Sequence, residues 1–466
     1  MFLKKTAITT AGIGLAPAFS TVFARSAPSD RINIGLIGCN GMGFANLKEF
    51  LNHSKVECLA LCDVDENVLN QRAGDVEKIR GKKPVNLYHD WRRLIDNKDI
   101  NLVIVGTPDH WHCLQMVAAC EAGKDVYCEK PIGRTIEECN LMVKAAKKYN
   151  SVVQVGQWQR SDPHWQEAVD FIRSGKLGKI RLVRVFSYQG WCPSIPVLPD
   201  EPVPSGVDYD MWLGPAPKRP FNRNRFHFTF RWFWDYAGGL MTDWGVHLLD
   251  YALYGMNVTA PRSIMAMGGK YGYPDDACET PDSLQTLYEF DGFNVLWDHA
   301  IGIDDGAYGR NHGLGFVGEN GTLVIDRGGW EVIPETVNGK TRMEAVPLKK
   351  GAGKGLANHV VNHLDCIARR DPNTNASIEI RSHSDTFSAL GNIAYRTGNN
   401  LVCDGTRFTN DTGANSYLVP EYRTPWSLPR ILPLHAIIAL TVISGNCSNN
   451  PDTLRKLRTI RTDGIS

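Results

Sequence analysis

From residue 31 to about residue 156, short apolar runs alternate with amphipathic stretches. The apolar runs are "INIGLIG", "VECLALCDV", "VNLYHD", "INLVIVGTP", "KDVYCEKP" and "SVVQVGQ". Between them, "HWHCLQMVAACEAG" and "TIEECNLMVKAAKKYN" have a helical pattern, and the second opens with Thr135 and Glu138 in a capping-box arrangement. Buried strands alternating with helices predict an α/β domain over residues 31–156, built on a doubly wound parallel sheet.

After residue 157 the pattern changes. The stretch "PHWQEAVDFIRSGKLG" predicts a helix, and "KIRLVRVFSYQGW" predicts a long strand. Residues 192–236 are rich in proline and aromatic residues, so they cannot be regular throughout. Beyond them, "GGLMTDWGVHLLDYALYG" predicts one helix, and "SLQTLYEF", "FNVLWDHA" and "GLGFVGENGTLVID" predict further strands. We therefore expect a second, α+β domain over residues 157–430 with an open, mostly antiparallel sheet. Residues 431–466 form a tail without an assigned role.

Composition narrows the class of protein. The chain has 466 residues, 43% of them hydrophobic and 22% charged, which is typical of a globular protein of about two domains. The net charge of +1 does not indicate a surface for nucleic acid or anionic membranes. The 12 cysteines form no C-x-x-C pair, and Cys58, Cys62 and Cys128 lie in apolar runs. We expect buried free thiols in a protein that folds in a reducing compartment.

The first 30 residues resemble an export signal. Lys4 and Lys5 precede an apolar run, Ala7 to Val22, that is too short for a stable membrane span, and Val22-Phe23-Ala24 fits a cleavage site. The "FLKK" stretch resembles the second half of a twin-arginine signal, without its arginine pair; a general secretory signal is the alternative. We expect an exported, periplasmic protein, with a cytoplasmic location as the alternative reading.

A glycine-rich loop follows the first predicted strand and precedes a helix. In the dinucleotide fingerprint G-x-G-x-x-G, the first glycine permits a tight turn and the last allows close packing of helix and strand. Asn40 takes the place of the middle glycine here, and asparagine tolerates a positive φ. The loop supplies the candidate cofactor-binding residues Gly38, Asn40, Gly41, Met42 and Gly43.

Asp63 lies twenty residues after Gly43, at the end of the second predicted strand. A carboxylate there accepts hydrogen bonds from ribose hydroxyls and repels a 2′-phosphate. The first domain is therefore predicted to be a Rossmann domain that binds NAD in preference to NADP.

Two further strand ends carry candidate cofactor contacts. "TPDHWH" follows the fourth predicted strand and contributes Thr107, Pro108 and His112, and "CEKPIG" ends the fifth with Glu129 and Lys130. Ligands bind at this edge of an open parallel sheet. An ammonium group beside a nicotinamide can hold a substrate oxygen, so Lys130 is also a candidate catalytic residue.

Asp243 and His247 are four residues apart in the predicted helix, on one face. A carboxylate near an imidazole raises the basicity of the ring, and histidine is suited to accept a hydroxyl proton. We take both as candidate catalytic residues, with a purely structural pair as the alternative. No third ligand stands at a suggestive spacing, so no metal site is expected.

Together, "GLIGCNGMG", "TPDHWH", "CEKPIGRTIEE" and "GGLMTDWGVHLLD" resemble the glucose–fructose oxidoreductase / inositol dehydrogenase / MocA family. "ETPDSLQTLYEF" and "GFVGENGTLVID" resemble its C-terminal sheet, so the similarity runs from about residue 31 to about residue 430. The resemblance implies that Lys130 contacts substrate and nicotinamide and that His247 accepts a proton. It also implies that Gly38, Gly43 and Asp63 bind the cofactor, and that the second domain binds substrate and forms a homodimer or homotetramer through its open sheet.

The resemblance also implies a carbohydrate or cyclitol substrate, altered at a secondary carbon. Aromatic rings stack on the apolar faces of sugars, while amides and guanidinium groups bind hydroxyls. Six tryptophans lie between residues 157 and 236, and we expect about half of them to belong to the core. No cluster of arginine and lysine marks a phosphate site, which favours a neutral glycoside. The candidate substrate residues are Gln157, Trp158, Arg160, Arg231 and Trp232.

Three functions compete at this point. The first is an NAD(P)-dependent oxidoreductase that transfers hydride between nicotinamide and a secondary hydroxyl or ketone of a sugar, glycoside or cyclitol. The second is an NAD-recycling glycosidase that acts by oxidation, elimination and reduction, with no net redox change. The third is a non-catalytic sugar-binding protein. Export of a cofactor-dependent enzyme would require NAD to be bound tightly and loaded before transport. An NAD that stays bound has to be reoxidised or reduced again in the same pocket, which favours the recycling function.

Overall fold

The computed structural model describes residues 31–404 and 407–431. The predicted export segment, residues 1–30, and the tail from residue 432 onward lie outside the described residues. Within the described chain, the first domain is a six-stranded parallel sheet in the order β3-β2-β1-β4-β5-β6. Its elements are β1 (Ile32–Ile37), α1 (Gly41–Leu51), β2 (Val56–Cys62), α2 (Glu66–Arg80), β3 (Asn86–Tyr88), α3 (Trp91–Asp96), β4 (Leu102–Val105), α4 (Asp109–Glu121), β5 (Asp125–Cys128), α5 (Ile136–Tyr149) and β6 (Val153–Val155). This confirms the predicted Rossmann architecture.

The sheet is buried on both faces. Ile34 and Leu36 of β1 belong to one hydrophobic cluster, and Ile37 of the same strand belongs to another. Helix α5 begins as the sequence predicts: Glu138 N donates to Thr135 Oγ1 at 3.4 Å, and Thr135 N donates to Glu138 Oε2 at 2.8 Å. The predicted capping box is confirmed.

The second domain is built on a sheet of nine described strands in the order β16-β13-β12-β11-β7-β10-β9-β8-β17. Among these strands β7 and β10 are parallel neighbours, and the other pairs are antiparallel, which confirms the mostly antiparallel sheet. Its strands are β7 (Leu182–Gln189), β8 (Ser263–Gly269), β9 (Ser283–Phe290), β10 (Phe293–Ile301), β11 (His312–Val317), β12 (Gly321–Asp326), β13 (Gly329–Pro334), β16 (Val346–Lys350) and β17 (Leu401–Val402), and β14 (Thr336–Val337) and β15 (Lys340–Thr341) form a separate hairpin. Its helices are α6 (Pro163–Arg173), α7 (Tyr209–Leu213), α8 (Gly239–Asp243), α9 (Gly245–Met256), α10 (Gly355–Arg369) and α11 (Ile378–Thr397).

Helices α10 and α11 lie between β16 and β17 in the chain but contact the first domain. Val155 N, in β6, donates to Ala376 O at 2.9 Å, just before α11. Asp385, inside α11, accepts a hydrogen bond of 2.6 Å from Ile132 N, in the loop after β5. The edge of the parallel sheet is thereby covered by the C-terminal domain.

The predicted single helix around Asp243 and His247 is wrong. The structure has two helices, α8 and α9, separated at Trp244. Asp243 O accepts a hydrogen bond from Lys130 Nζ at 2.8 Å, while His247 N donates to Trp244 O at 3.1 Å. Lys130 thus bonds to the last carbonyl of α8, which has no partner from His247 N.

Residues 190–236 form a segment that we call the strap. It is irregular apart from α7 and short 3-10 turns, as the prolines predict. The strap crosses the end of β2, where Asp208 N donates to Val64 O and Glu66 N donates to Gly206 O, both at 2.9 Å. It is also fixed at α4, because Trp212 O accepts from Trp111 Nε1 at 3.0 Å.

Cys58, Cys62 and Cys128 are buried free thiols, as their apolar contexts predict. No helix in the described part of the chain is long and apolar enough to cross a membrane. Across residues 31–404 and 407–431, no group of three or more His, Cys, Asp or Glu residues is arranged to hold a metal ion.

Candidate active site

A cavity of about 460 Å³ lies between the parallel sheet and the strap. It runs along the carboxyl ends of β1, β2, β4 and β5, where the topology predicts a ligand. The sheet side contributes Gly38, Asn40, Gly41, Met42, Asp63, Thr107, Pro108, Asp109, Glu129 and Lys130. The C-terminal domain contributes Met211, Trp212, His227, Phe228, Phe230, Arg231 and Asp243. Both domains therefore form the site.

The glycine loop turns differently from what its sequence predicts. Asn40 has φ of −99° and is extended, while Gly38 and Gly41 have φ of +81° and +50°. The left-handed conformation expected at Asn40 is thus taken by the next residue, a glycine, which adopts it without steric cost. Asn40 Oδ1 accepts from Arg72 Nη2 at 3.0 Å and does not cap α1.

The first turn of α1 opens onto the cavity through Asn40, Gly41 and Met42 and contains no acidic residue. Its backbone N–H groups have no side-chain cap, so they are suited to bind a phosphate group. Behind the loop, Gly38, Gly43 and Gly106 pack so closely that a Cβ on Gly106 would stand 2.5 Å from Gly43 Cα. These features fit the pyrophosphate of a dinucleotide.

Asp63 lines the cavity at the end of β2. Its Oδ2 accepts from Cys39 N at 2.7 Å, and its Oδ1 accepts from Asp65 N at 3.0 Å. Burial raises the pKa of Asp63, while these two hydrogen bonds and the nearby His227 oppose the rise. The carboxylate is thus anchored to the glycine loop, and its further lone pairs can accept from a ribose diol.

Lys130 joins the two domains at the floor of the cavity. Its Nζ donates to Asp243 Oδ1 at 2.9 Å and to Asp243 O at 2.8 Å, and each of the two side chains is 14% exposed. Arg231 Nε lies 3.4 Å from the same carboxylate oxygen. Burial opposes ionisation of Asp243, but the charges of Lys130 and Arg231 outweigh it and hold the pKa of Asp243 well below its usual range.

His247 is 5% exposed and is not among the residues that line the cavity. Burial and the positive charges of Lys130 and Arg327 lower its pKa well below the ordinary histidine value, despite Asp243. Asp243 does act to raise the pKa of the ring, as expected, but burial and the cations outweigh it, so the net shift is downward. Its Nδ1 is buried without a hydrogen-bond partner among the described residues. A neutral imidazole of this kind can accept a proton.

Some of the other predicted cofactor residues line the cavity, and one lies behind its wall and holds two loops together. Thr107, Pro108 and Glu129 line the cavity, and Glu129 Oε1 accepts from Asn46 Nδ2 at 2.7 Å. His112 is buried behind the wall, with Nδ1 at 2.6 Å from Pro131 O and Nε2 at 2.7 Å from Thr107 O. It ties the loop after β4 to the loop that carries Lys130.

Two of the predicted substrate residues lie inside the second domain. Gln157 is buried, and its Nε2 donates to Val246 O at 2.6 Å, next to His247. Arg160 forms two hydrogen bonds with Asp250, at 2.8 and 2.9 Å. Neither side chain lines the cavity; both hold α9 in place.

The three other predicted substrate residues lie in different surroundings. Trp232 is 4% exposed, in an aromatic core that the strap itself largely forms, and the guanidinium of Arg327 lies 5.1 Å from the ring centre of Trp158. Arg231 lines the cavity and stacks on Phe228, with the guanidinium carbon 4.1 Å from the ring centre. The structure thus brings Arg231, Lys130 and Asp243 together.

Asp109 was not a candidate in the sequence, yet it lines the cavity at the start of α4 and is 7% exposed. Burial raises its pKa to about 8; Lys130 opposes the rise and the charge of Asp243 adds to it. Its place in "TPDHWH", directly after Pro108 at a strand end, was the available signal. The cavity therefore holds a carboxylic acid that is protonated over much of the neutral range.

This assignment predicts a pH-dependent effect of Asp109→Asn on the cofactor-free protein. The unfolded chain loses the Asp109 proton near its ordinary pKa of 3.8, whereas the folded protein keeps it until about 8. Between these values unfolding releases a proton, so Asp109 makes the fold progressively less stable as pH rises. The Tm of Asp109→Asn minus that of the wild type should increase from about pH 5 to about pH 8. A flat difference, as expected for the exposed control Asp305→Asn, would contradict it.

Comparison with known proteins gives a consistent result. Residues 32–157 match the family model described as "Oxidoreductase family, NAD-binding Rossmann fold", and residues 179–320 match "Oxidoreductase family, C-terminal alpha/beta domain". A levoglucosan dehydrogenase of Pseudarthrobacter phenanthrenivorans is 34% identical over 34% of this chain and 42% of its own length. A glycosyl hydrolase family 109 protein of Shewanella putrefaciens is 29% identical over 32% of this chain and 36% of its own length.

The chain thus matches about two fifths of the length of these relatives. A solved structure of levoglucosan dehydrogenase in complex with NADH superposes with a TM-score of 0.60 at 21% identity, covering 79% of this chain and 98% of that one. This likeness extends the shared fold over both domains. The two matched regions belong to models of one family, and the chain is therefore a member of the Gfo/Idh/MocA oxidoreductase family.

Proposed function

We propose that this protein is an NAD-dependent oxidoreductase that acts on a secondary hydroxyl or ketone of a sugar, glycoside or cyclitol. The observation that carries this proposal is the position of Lys130. Its ammonium is fixed by the carboxylate and the carbonyl of Asp243, in a cavity that begins at a glycine loop suited to a dinucleotide. The relative named levoglucosan dehydrogenase supports a carbohydrate substrate.

The residues that would hold the cofactor follow the strand ends. The uncapped start of α1 would bind the pyrophosphate, Asp63 a ribose, and Thr107 and Pro108 the nicotinamide half. When bound there, the nicotinamide supplies a site that takes or returns a hydride.

The chain's own groups supply the proton chemistry. Lys130 carries a fixed positive charge beside the cavity and would stabilise the oxygen of a substrate alcohol as its proton leaves. His247 is neutral, because burial and nearby cations lower its pKa, and would accept that proton. Asp243 stays ionised and holds Lys130 in place.

Replacement of His247 tests the proton-acceptor role. We expect His247→Ala to lower kcat by about 10²–10⁴-fold, the usual contribution of general acid–base catalysis, while the Kd for NADH stays within about twofold. His53→Ala, which changes a histidine after α1, is the matched control for turnover. Oxidation of a substrate sugar, measured at 340 nm, and NADH titration report the two quantities. Turnover at the wild-type rate in His247→Ala would refute the role.

An NAD-recycling glycosidase is the second candidate. The relative named glycosyl hydrolase family 109 protein supports this candidate. The strap that lines the cavity also favours it, because internal recycling requires NAD to be retained between turnovers. Oxidation of a ring hydroxyl acidifies the neighbouring C–H, loss of that proton expels the glycosidic oxygen, and reduction with addition of water leaves net hydrolysis. When the protein is incubated with a panel of sugars and glycosides, aglycone release without added NAD indicates the glycosidase. NADH formed in proportion to sugar indicates the dehydrogenase.

Asp63 should set the preference for NAD over NADP. A carboxylate repels a 2′-phosphate, whereas an amide of the same shape does not. We expect Asp63→Asn to improve the Kd ratio for NADP relative to NAD by about tenfold or more, since about 1.4 kcal/mol of relieved repulsion is enough. Asp96→Asn, on the exposed face of α3, should leave the ratio unchanged. An unchanged ratio in Asp63→Asn would remove Asp63 from this role.

We also propose export with the cofactor already bound, as the first 30 residues suggest. Cell fractionation with antibodies tests this; full-length protein confined to the cytoplasm would contradict it.

We further propose that the protein assembles through the open sheet, because Met265, Met267 and Ile333 are exposed on strands of that sheet. Light scattering should give a dimer or tetramer, and a monomer would contradict it.

A further inference from the structure

We propose that His227, from the strap, is a cofactor-binding residue that completes the adenosine-ribose end of the dinucleotide site, and that the strap thereby slows release of the dinucleotide. This inference rests on the proposed function, since it assumes that the cavity holds a nicotinamide dinucleotide. It adds a binding residue from the second domain to a site that the sequence places in the first.

The position of His227 is the first observation. His227 lines the cavity with Asp63 and lies close enough to influence the pKa of the Asp63 carboxylate. Its Nε2 is 3.0 Å from Asp65 Oδ2, so the ring is fixed to the loop that follows β2. The His227 side chain is 37% exposed and its contact with Asp65 uses Nε2, so Nδ1 remains available to bond to a hydroxyl group of a ligand.

The backbone at His227 is the second observation. Its φ is +54°, in the left-handed region that residues other than glycine adopt rarely, although histidine is tolerated there better than most. This conformation and the contact with Asp65 together hold the ring at the cavity.

The attachment of the strap is the third observation. Asp65 also pairs with Val207 in an isolated bridge, beside the two backbone hydrogen bonds that the strap makes at the end of β2. On the other side of the cavity, Trp212 O accepts from Trp111 Nε1 and lies 3.0 Å from His110 Nε2. The strap is thus fixed to the first domain on both sides of the cavity. A dinucleotide bound there would contact the strap as well as the sheet edge, so we expect a low dissociation rate.

The test uses the full chain stripped of bound nucleotide and two halves of the cofactor as probes. ADP-ribose carries the adenosine ribose, and nicotinamide mononucleotide does not. We expect His227→Ala to weaken ADP-ribose binding by about tenfold, the usual effect of one hydrogen bond, and to leave nicotinamide mononucleotide binding within twofold. NADH dissociation, followed by fluorescence, should become about tenfold faster.

Two further variants separate a local effect from a folding defect. His227→Gln can keep a bond to Asp65 and should recover part of the ADP-ribose affinity. Arg223→Ala removes an exposed ion pair with Glu201 on the outer side of the strap, and should bind both probes as the wild type does.

Each outcome bears on the proposal. Unchanged ADP-ribose affinity and NADH dissociation in His227→Ala would overturn it, and so would an equal loss for both probes, which indicates general disruption. If the wild type binds neither NADH nor ADP-ribose, the proposed function fails as well. If the wild type binds both and His227→Ala does not differ from it, only this inference fails.

Discussion

The contact between Lys130 and Asp243 is the constraint on which the site depends. It joins a loop of the first domain to the end of a helix in the second, and both side chains are largely buried. Removing Asp243 would deprive the buried Lys130 ammonium of its carboxylate partner, and removing Lys130 would leave the Asp243 carboxylate with Arg231 alone; both changes are expected to be destabilising. The same contact ends α8 at Asp243, and this break sets where α9 begins and where His247 lies. The Lys130 ammonium group therefore contacts both the carboxylate and the backbone carbonyl of Asp243 at the end of α8.

Several residues around Lys130 and Asp243 do not line the cavity but hold the elements that carry these two side chains in place. His112 connects the loops after β4 and β5, and Asp385 accepts a hydrogen bond from Ile132 N, two residues after Lys130. Gln157 and Arg160 fix α9 from behind through Val246 and Asp250. Positioning of this kind lets a charged group act without rearrangement when a substrate arrives.

Much of the first domain could be predicted from sequence because its signals are local. Each of the six runs contains a strand of the sheet, and except in β3, the partly exposed edge strand, burial on both faces accounts for the apolar run. The positions of Asp63 and Lys130 followed, because topology brings the carboxyl ends of parallel strands to one edge. The capping box at Thr135 involves neighbours only three residues apart.

What could not be predicted depends on partners distant in the chain. At the break beside Trp244, the carbonyl of Asp243 bonds to Lys130, which lies 113 residues away in the chain. Arg160 was predicted to bind a sugar because guanidinium groups bind hydroxyls. In the structure it forms a buried ion pair with Asp250, which lies 90 residues away in the chain. His227 reaches the cavity only because of the path of the strap, which no periodic pattern encodes. Asp109 is a different case. Its position in the "TPDHWH" motif could be read from the sequence, but its burial, which raises its pKa, could not.

The return of α10 and α11 to the first domain has a mechanical consequence. Two domains joined at a single crossing of the chain are connected by one linker, but here the chain crosses again: Ala376, just before α11, bonds to the edge of the parallel sheet, and Asp385, within α11, bonds to the loop beyond β5. The two sides of the cavity are therefore held together by contacts at both crossings and not by the linker alone.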